Sequence, residues 1–270
     1  MLRIITDSSA DITQEEAAEL GIRIVPLSVV FGGESFREGV DLPKDEFYDR
    51  LVAGEYPHSS MPSTEDFSEA FSESTEETLV ILISSALSGT VNTARLAARD
   101  GGFTNVHVYD SHATTCMLRI MVETAYRNRD KSAEEVMEIL DRLRPRLHIH
   151  AYLDTLEFLY KGGRIKKGVA IVGGLLGIKP LITFTQEGAV VMEGREHGRK
   201  KAIRALVETL KSAKTDPDYP VYFMQTNTDE FTRAVMKETG REGDRIFRIC
   251  CAVGTHIGPN AAGFVYVEKE

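Results

Sequence analysis

Thr78-Leu79-Val80-Ile81-Leu82-Ile83-Ser84-Ser85-Ala86-Leu87-Ser88-Gly89-Thr90-Val91-Asn92-Thr93-Ala94 is the stretch on which the fold turns. Thr78 to Ile83 is an unbroken apolar, β-branched run, which reads as a strand buried on both faces. Ala94-Arg95-Leu96-Ala97-Ala98-Arg99 has high helix propensity. A strand therefore hands over to a helix through a loop crowded with the hydroxyls of Ser84, Ser85, Ser88 and Thr90. The first N–H groups of such a helix lack intrahelical partners and sit at the positive end of its dipole. Hydroxyls beside them make a receptor for an anion, and Gly89 lets the backbone approach it closely. The plainer reading is that Ser88 or Thr90 caps the helix.

Toward the amino terminus, Leu2 to Thr6 reads as a strand, with the polar loop Asp7-Ser8-Ser9-Ala10-Asp11 at its carboxyl end. That end is where ligands gather in open α/β sheets. Ile22 to Phe31 reads as one extended run, and Asp41 as the cap of a helix ending near Gly54. Ser63 and Asp66 form a capping-box pattern after the turn Tyr56–Ser63. There Ser59 and Ser60 are either turn residues or a second set of donors. Asn105–Tyr109 is a strand, Thr114–Arg127 a helix, and Ser132 caps another helix through Leu143. Alternating strands and helices predict a parallel sheet flanked by helices over residues 1–150.

Residues 151–270 read differently. Asp154 is placed to cap a short helix through Leu159. Val169 to Ile178 is apolar all round and too short to span a membrane, so it belongs against protein or ligand. Lys179–Thr185 and Ala189–Glu193 flank Gln186-Glu187-Gly188, a hairpin signal. Helices follow from His197 and Glu230, strands at Val221–Gln225, Arg245–Cys250 and Gly263–Val267, and a tight loop at Gly254–Pro259. A hairpin among helices predicts a mixed sheet. The fold class expected is α/β in two domains.

Composition narrows the chemistry. A net charge of −9 over 270 residues argues against a broad nucleic-acid-binding face. No apolar run is long enough to cross a bilayer, and Leu2 begins a strand without a signal-peptide pattern. Cys116, Cys250 and Cys251 have no CxxC spacing, which suggests a reducing, cytoplasmic setting. No phosphate loop, dinucleotide fingerprint or H-E-x-x-H motif occurs. His148 and His150 share one strand face and are too few for a zinc site, so no metal and no cofactor is expected.

Four stretches taken together resemble the DegV family, the fatty-acid-binding B components of bacterial fatty acid kinase. They are Thr6–Asp11, Ser84–Thr90, Leu156-Glu157-Phe158-Leu159-Tyr160-Lys161-Gly162-Gly163-Arg164-Ile165 and Gly254-Thr255-His256-Ile257-Gly258-Pro259, spread along the whole chain. The resemblance implies two α/β domains enclosing an acyl chain. It implies that Ser88 holds the carboxylate with Gly89, aided by a hydroxyl from Ser59 or Ser60 ahead of Pro62, and that His256 lies near the carboxylate. Where the family often has Thr-Ser-Gln-Pro-Ser, this chain has Ser59-Ser60-Met61-Pro62-Ser63. Val169, Ile171, Val172, Leu175 and Leu176 would line the tail. About 15 buried methylenes contribute roughly 12 kcal/mol before immobilisation is subtracted, and a carboxylate at a helix start about 0.3–2 kcal/mol.

The same resemblance implies that a separate ATP-dependent kinase subunit phosphorylates the bound carboxylate, feeding acyl phosphate to phospholipid synthesis. This chain would then have no catalytic residues of its own, and transient membrane contact stays open to it. Arg164, Arg199 and Lys200 are expected to dock the kinase, the alternative being a solvated basic face and, for Arg164, a structural bond within its own loop. A reading from another class is a serine esterase or thioesterase, in which Ser88, His256 and an acid such as Asp7 or Asp110 converge.

Overall fold

The computed structural model describes residues 1–165 and 177–270. The amino half runs β1 (Arg3–Asp7), α1 (Gln14–Leu20), β2 (Arg23–Val25), β3 (Ser28–Phe31), β4 (Glu34–Arg37), α2 (Lys44–Val52), β5 (His58–Ser60) and α3 (Thr64–Ser72). It continues with β6 (Thr78–Leu82), α4 (Thr90–Asp100), β7 (Val106–Asp110), α5 (Thr115–Arg127) and α6 (Ala133–Leu143). The carboxyl half runs β8 (Leu147–Tyr152), α7 (Glu157–Lys161), β9 (Ile178–Phe184), β10 (Val190–His197), α8 (Arg199–Ser212), β11 (Tyr222–Gln225), α9 (Glu230–Thr239), β12 (Ile246–Arg248), α10 (Cys251–Ile257) and β13 (Ala262–Val267).

β6 is buried throughout because it is an inner strand, parallel to β1 on one side and to β7 on the other. Its alternate side chains serve two cores. Leu79 and Ile81 pack with Met117, Leu118 and Met121 of α5, while Val80 and Leu82 pack with Phe67, Phe71 and Val91 of α3 and α4. The four-stranded sheet β2-β1-β6-β7 is parallel at every pairing, as the alternation predicts. The six-stranded sheet β10-β9-β8-β13-β11-β12 is mixed: only β11 and β12 pair in parallel. Residue 150 lies inside β8, all of which belongs to that second sheet. α5 packs against both sheets, so one apolar core runs between them.

Capping boxes form at Ser63–Asp66 and Ser132–Glu135, and the Gln186-Glu187-Gly188 turn joins β9 to β10. Other local expectations fail for identifiable reasons. The extended run Ile22–Phe31 breaks at Pro26, which has no N–H to give a ladder, and β3 leaves for a small antiparallel sheet, β4-β3-β5. Asp41 accepts from the Arg37 N–H and Nε at 3.0 Å each, and Pro43 occupies the start of α2 instead. Asp154 pairs with Lys179 and leaves Leu156 at the start of α7. β10 extends through His197, so α8 begins only at Arg199. The expected loop at Gly254–Pro259 is largely helix α10. Long-range contacts cap that helix: Asp11 Oδ1 accepts from the Cys250 N–H at 2.7 Å and Glu38 Oε2 from the Ala252 N–H at 2.9 Å.

Candidate functional site

The hydroxyl loop after β6 is pinned from behind. The Ser84 N–H donates to Ala113 O at 2.8 Å, and Ser84 O accepts from the Leu87 and Ser88 N–H groups at 2.9 and 3.1 Å. The fully buried Asp7 carboxylate accepts from the Ile83 N–H at 2.7 Å and from the Ser9 N–H and hydroxyl at 2.8 and 2.5 Å. Burial raises its pKa against the pull of those bonds. Asp7 thus holds the loop and turns no oxygen toward His256. Asp110 is likewise engaged by the Ser85 and His112 N–H groups.

Gly89, not Ser88, stands at the start of α4, which has no side-chain cap. Ser88 Oγ shares a 2.8 Å bond with Thr90 Oγ1 and meets the Thr90 N–H only at 3.4 Å. Its hydroxyl therefore does little capping work.

Ser59 arrives from the small sheet, where β5 pairs it with Val29. His256 arrives on α10, and its Nε2 lies 2.7 Å from Ser59 Oγ. His256 Nδ1 is buried and meets no hydrogen-bond partner among the described residues. It lies where Gly162 leaves room: a Cβ at that position would sit 2.2 Å from Nδ1. Burial first, then the Arg164 and His58 charges, lower the imidazole pKa to about 4. The ring is therefore neutral near pH 7. With the proton on Nε2 the ring donates to Ser59 Oγ and leaves Nδ1 bare beside Gly162; in that tautomer the Ser59 hydroxyl proton is free to serve a third group.

Arg164 lines the same site. Its Nε donates to Leu87 O at 3.0 Å and Nη1 to Gly162 O at 2.5 Å, which ties the α7 turn to the hydroxyl loop. It is half-buried, and burial alone lowers its pKa; no carboxylate among the described residues offsets it. A guanidinium without a counter-charge inside a chain of net charge −9 is an invitation to an anion. Of the readings open to Arg164, the bond within its own loop forms, to Gly162 O, and the residue also lines the cavity.

Ser59, Ser88, Arg164 and His256 together border one cavity; about 780 Å³ of space free of atoms lies within it and at its mouth, open solvent included. The remaining wall is almost wholly apolar. Ile149 and Ala151 come from β8, Ile182 and Phe184 from β9, Val190 from β10, and Met224 from β11. Ile249, Ala252, Val253 and Ile257 come from in and around α10. Sequence reasoning missed these residues. Their signal was the alternation of β8, which puts Ile149 and Ala151 on the face opposite His148 and His150. Those histidines pair with Glu268 at 3.2 Å and Glu193 at 2.9 Å, rather than standing free in solvent.

The other expected residues fall elsewhere. Ser60 follows Ser59 on the strand, points to the opposite side and is exposed. Gly89 is exposed and does not line the cavity; Met61 covers it, with Sδ at 2.7 Å from where a Cβ would stand. Arg199 pairs with Glu230 at 3.0 Å and Lys200 is exposed, both outside the cavity wall. Val169, Ile171, Val172, Leu175 and Leu176 lie outside the described residues. One grouping among the described residues has metal-ligating spacing, Glu77, His107 and Glu134, with ligand atoms within 4.8 Å; it borders no part of the cavity.

Fold and site together define a three-sheet α/β protein built around an apolar cavity with a cationic, hydroxyl-lined mouth. The DegV family model matches residues 1–269, and the chain belongs to the DegV family. A DegV domain-containing protein of Deinococcus radiodurans is 35% identical over 97% of this chain and 96% of its own. A DegV family protein from Thermus thermophilus, described by its fatty acid binding, superposes with a TM-score of 0.88 at 30% identity, covering 99% of both chains. A stearic-acid-binding protein from Eubacterium ventriosum superposes at 0.87 with 27% identity, covering 100% of this chain and 99% of that one.

Proposed function

We propose that this protein binds a long-chain fatty acid in the cavity and presents its carboxylate at the mouth to a separate ATP-dependent kinase that forms the acyl phosphate. The observation that carries the reading is the pairing of an apolar cavity with a mouth whose charged group is a cation that meets no carboxylate among the described residues. Ser59 and Ser88 donate to the carboxylate, His256 orients Ser59, and Arg164 supplies the charge. Hydrogen bonds to a charged group contribute about 1.5–3 kcal/mol each, while tail burial supplies most of the affinity. The residues split near 150 into a unit bearing Ser59 and Ser88 and a unit covering the acyl chain. In the same reading Val169, Ile171, Val172, Leu175 and Leu176 continue the tail wall, and Arg199 and Lys200 face the kinase in the cytoplasm.

A hydrolase needs His256 to take the Ser88 proton and an acid to orient it. His256 instead bonds Ser59, its Nδ1 meets no acid among the described residues, and Asp7 and Asp110 are engaged elsewhere. Organic extraction of the purified protein followed by mass spectrometry tests the carrier reading. A free fatty acid near unit occupancy, reduced in Ser88→Ala, is expected. No lipid in the extract and no binding of added fatty acid would overturn it, and burst hydrolysis of acyl esters that Ser88→Ala abolishes would favour the esterase. Charge reversal at Arg199 and Lys200 is expected to slow acyl-phosphate formation with added kinase while lipid occupancy stays unchanged.

A further inference from the structure

A second polar feature breaks the apolar wall of the cavity. Thr114 and Thr115 line it at the start of α5, a 13-residue helix. Thr114 stands at the cap position but makes no side-chain cap bond. It is 4% exposed, and its Oγ1 meets no hydrogen-bond partner among the described residues. Among the described residues Thr115 Oγ1 reaches only the sulfur of Met224, at 3.4 Å, and Met224 is itself part of the wall. The helix start thus leaves its first N–H groups without a side-chain cap, and beside them lies a buried hydroxyl in an otherwise greasy space. A buried hydroxyl without a partner is unfavourable, and so are uncapped helix N–H groups shut away from water. The segment leading to them is also held in an uncommon backbone state: His112 has φ 52° and Thr115, a β-branched residue, φ 51°.

We propose that the start of α5, through Thr114, receives a neutral oxygen substituent on the acyl chain, a hydroxyl or oxo group, so that the cavity favours oxygenated fatty acids over plain ones. This rests on the fatty-acid reading given above. An acceptor is required because the helix N–H groups donate. It is neutral because the wall beyond the mouth is apolar: an ionised group shut in there would lose its hydration without a counter-charge, whereas a hydroxyl or carbonyl oxygen accepts from Thr114 and brings no charge.

The test is competition binding on the delipidated full-length protein with stearate, the positional hydroxystearates and the positional oxostearates. One net hydrogen bond gives about a two- to ten-fold preference for the chain whose oxygen meets Thr114. Thr114→Val, nearly isosteric, is expected to abolish that preference and to bind stearate at least as tightly as wild type. Thr114→Ser, which keeps the hydroxyl, is expected to retain it. No preferred position in the wild type, or a preference that survives in Thr114→Val, would overturn the inference. Equal weakening of plain and oxygenated acids in Thr114→Val would assign Thr114 to the carboxylate and overturn it too. Binding of neither stearate nor any oxygenated analogue by the wild type would instead overturn the fatty-acid reading itself.

Discussion

The two ends of α10 sit in opposite electrostatic surroundings. At its start, the buried carboxylates of Asp11 and Glu38 accept from the Cys250 and Ala252 N–H groups, with Lys44 close enough to act on both. At its far end, His256 faces Ser59, Arg164 and His58 with no carboxylate beside it among the described residues. The acidic end is answered in part from within the chain: Asp11 Oδ1 and Glu38 Oε2 meet helix N–H groups with Lys44 nearby, while Asp11 Oδ2 meets no partner among the described residues and burial favours the protonated acid. The basic end meets carbonyl and hydroxyl oxygens but no carboxylate among the described residues. One end relieves its buried charge by taking up a proton; a guanidinium cannot shed its own, and is left to an incoming anion.

The largest expected effect breaks the acidic end. Burial, opposed first by Lys44, raises the Asp11 pKa from 3.8 to about 7. Between those values the native state holds a proton that the unfolded chain releases, so stability falls as pH rises through the window, by up to about 4 kcal/mol. Asp11→Asn keeps an acceptor for the Cys250 N–H and is expected to flatten that component. Urea denaturation of wild type and variant from pH 4 to 8 measures it; parallel pH profiles would contradict the assignment.

Next comes the basic end. Arg164→Met keeps the stem and removes the charge, and fatty-acid affinity is expected to fall by about 1.5–3 kcal/mol. Arg164→Lys is expected to recover only part of it, because a lysine lacks the fork that reaches Leu87 O and Gly162 O together. Equal affinity in all three proteins by calorimetry would remove Arg164 from the site. Gly162→Ala pushes against the imidazole and is expected to cost about 1 kcal/mol or more of affinity, with the His256 ring nitrogens shifting by NMR. The smallest expected effect sharpens the contrast by its absence. With its pKa near 4, His256 stays neutral, so affinity is expected to be flat from pH 6 to 8. An inflection near the ordinary histidine pKa, lost in His256→Asn, would show a charged ring.

How much of this was legible in the sequence depended on how local its causes are. The strand at Thr78–Leu82 and the capping boxes at Ser63 and Ser132 could be read because their determinants lie within a few residues. The helix α10 could not. Gly254, Gly258 and Pro259 suggest a loop, and the carboxylates that hold the helix start come from residues 11 and 38. Ser59, Ser88 and His256 were marked as one site by family resemblance, yet only tertiary structure shows that Ser60 turns away and that Arg164 turns in. The described cavity wall escaped notice because which face of β8 or β9 looks inward is settled by the partner strands, not by either strand alone.

Ser88 rides on the parallel sheet, Ser59 on the small antiparallel one, and His256 on α10, so the mouth is assembled from three separately supported pieces. The complete mouth exists only where all three have docked. A guest that touches all of them therefore acts as a keystone: it binds the assembled chain and ignores the open one, and so raises the melting temperature in proportion to the logarithm of its concentration. The emptied protein would be the form a protease cuts first.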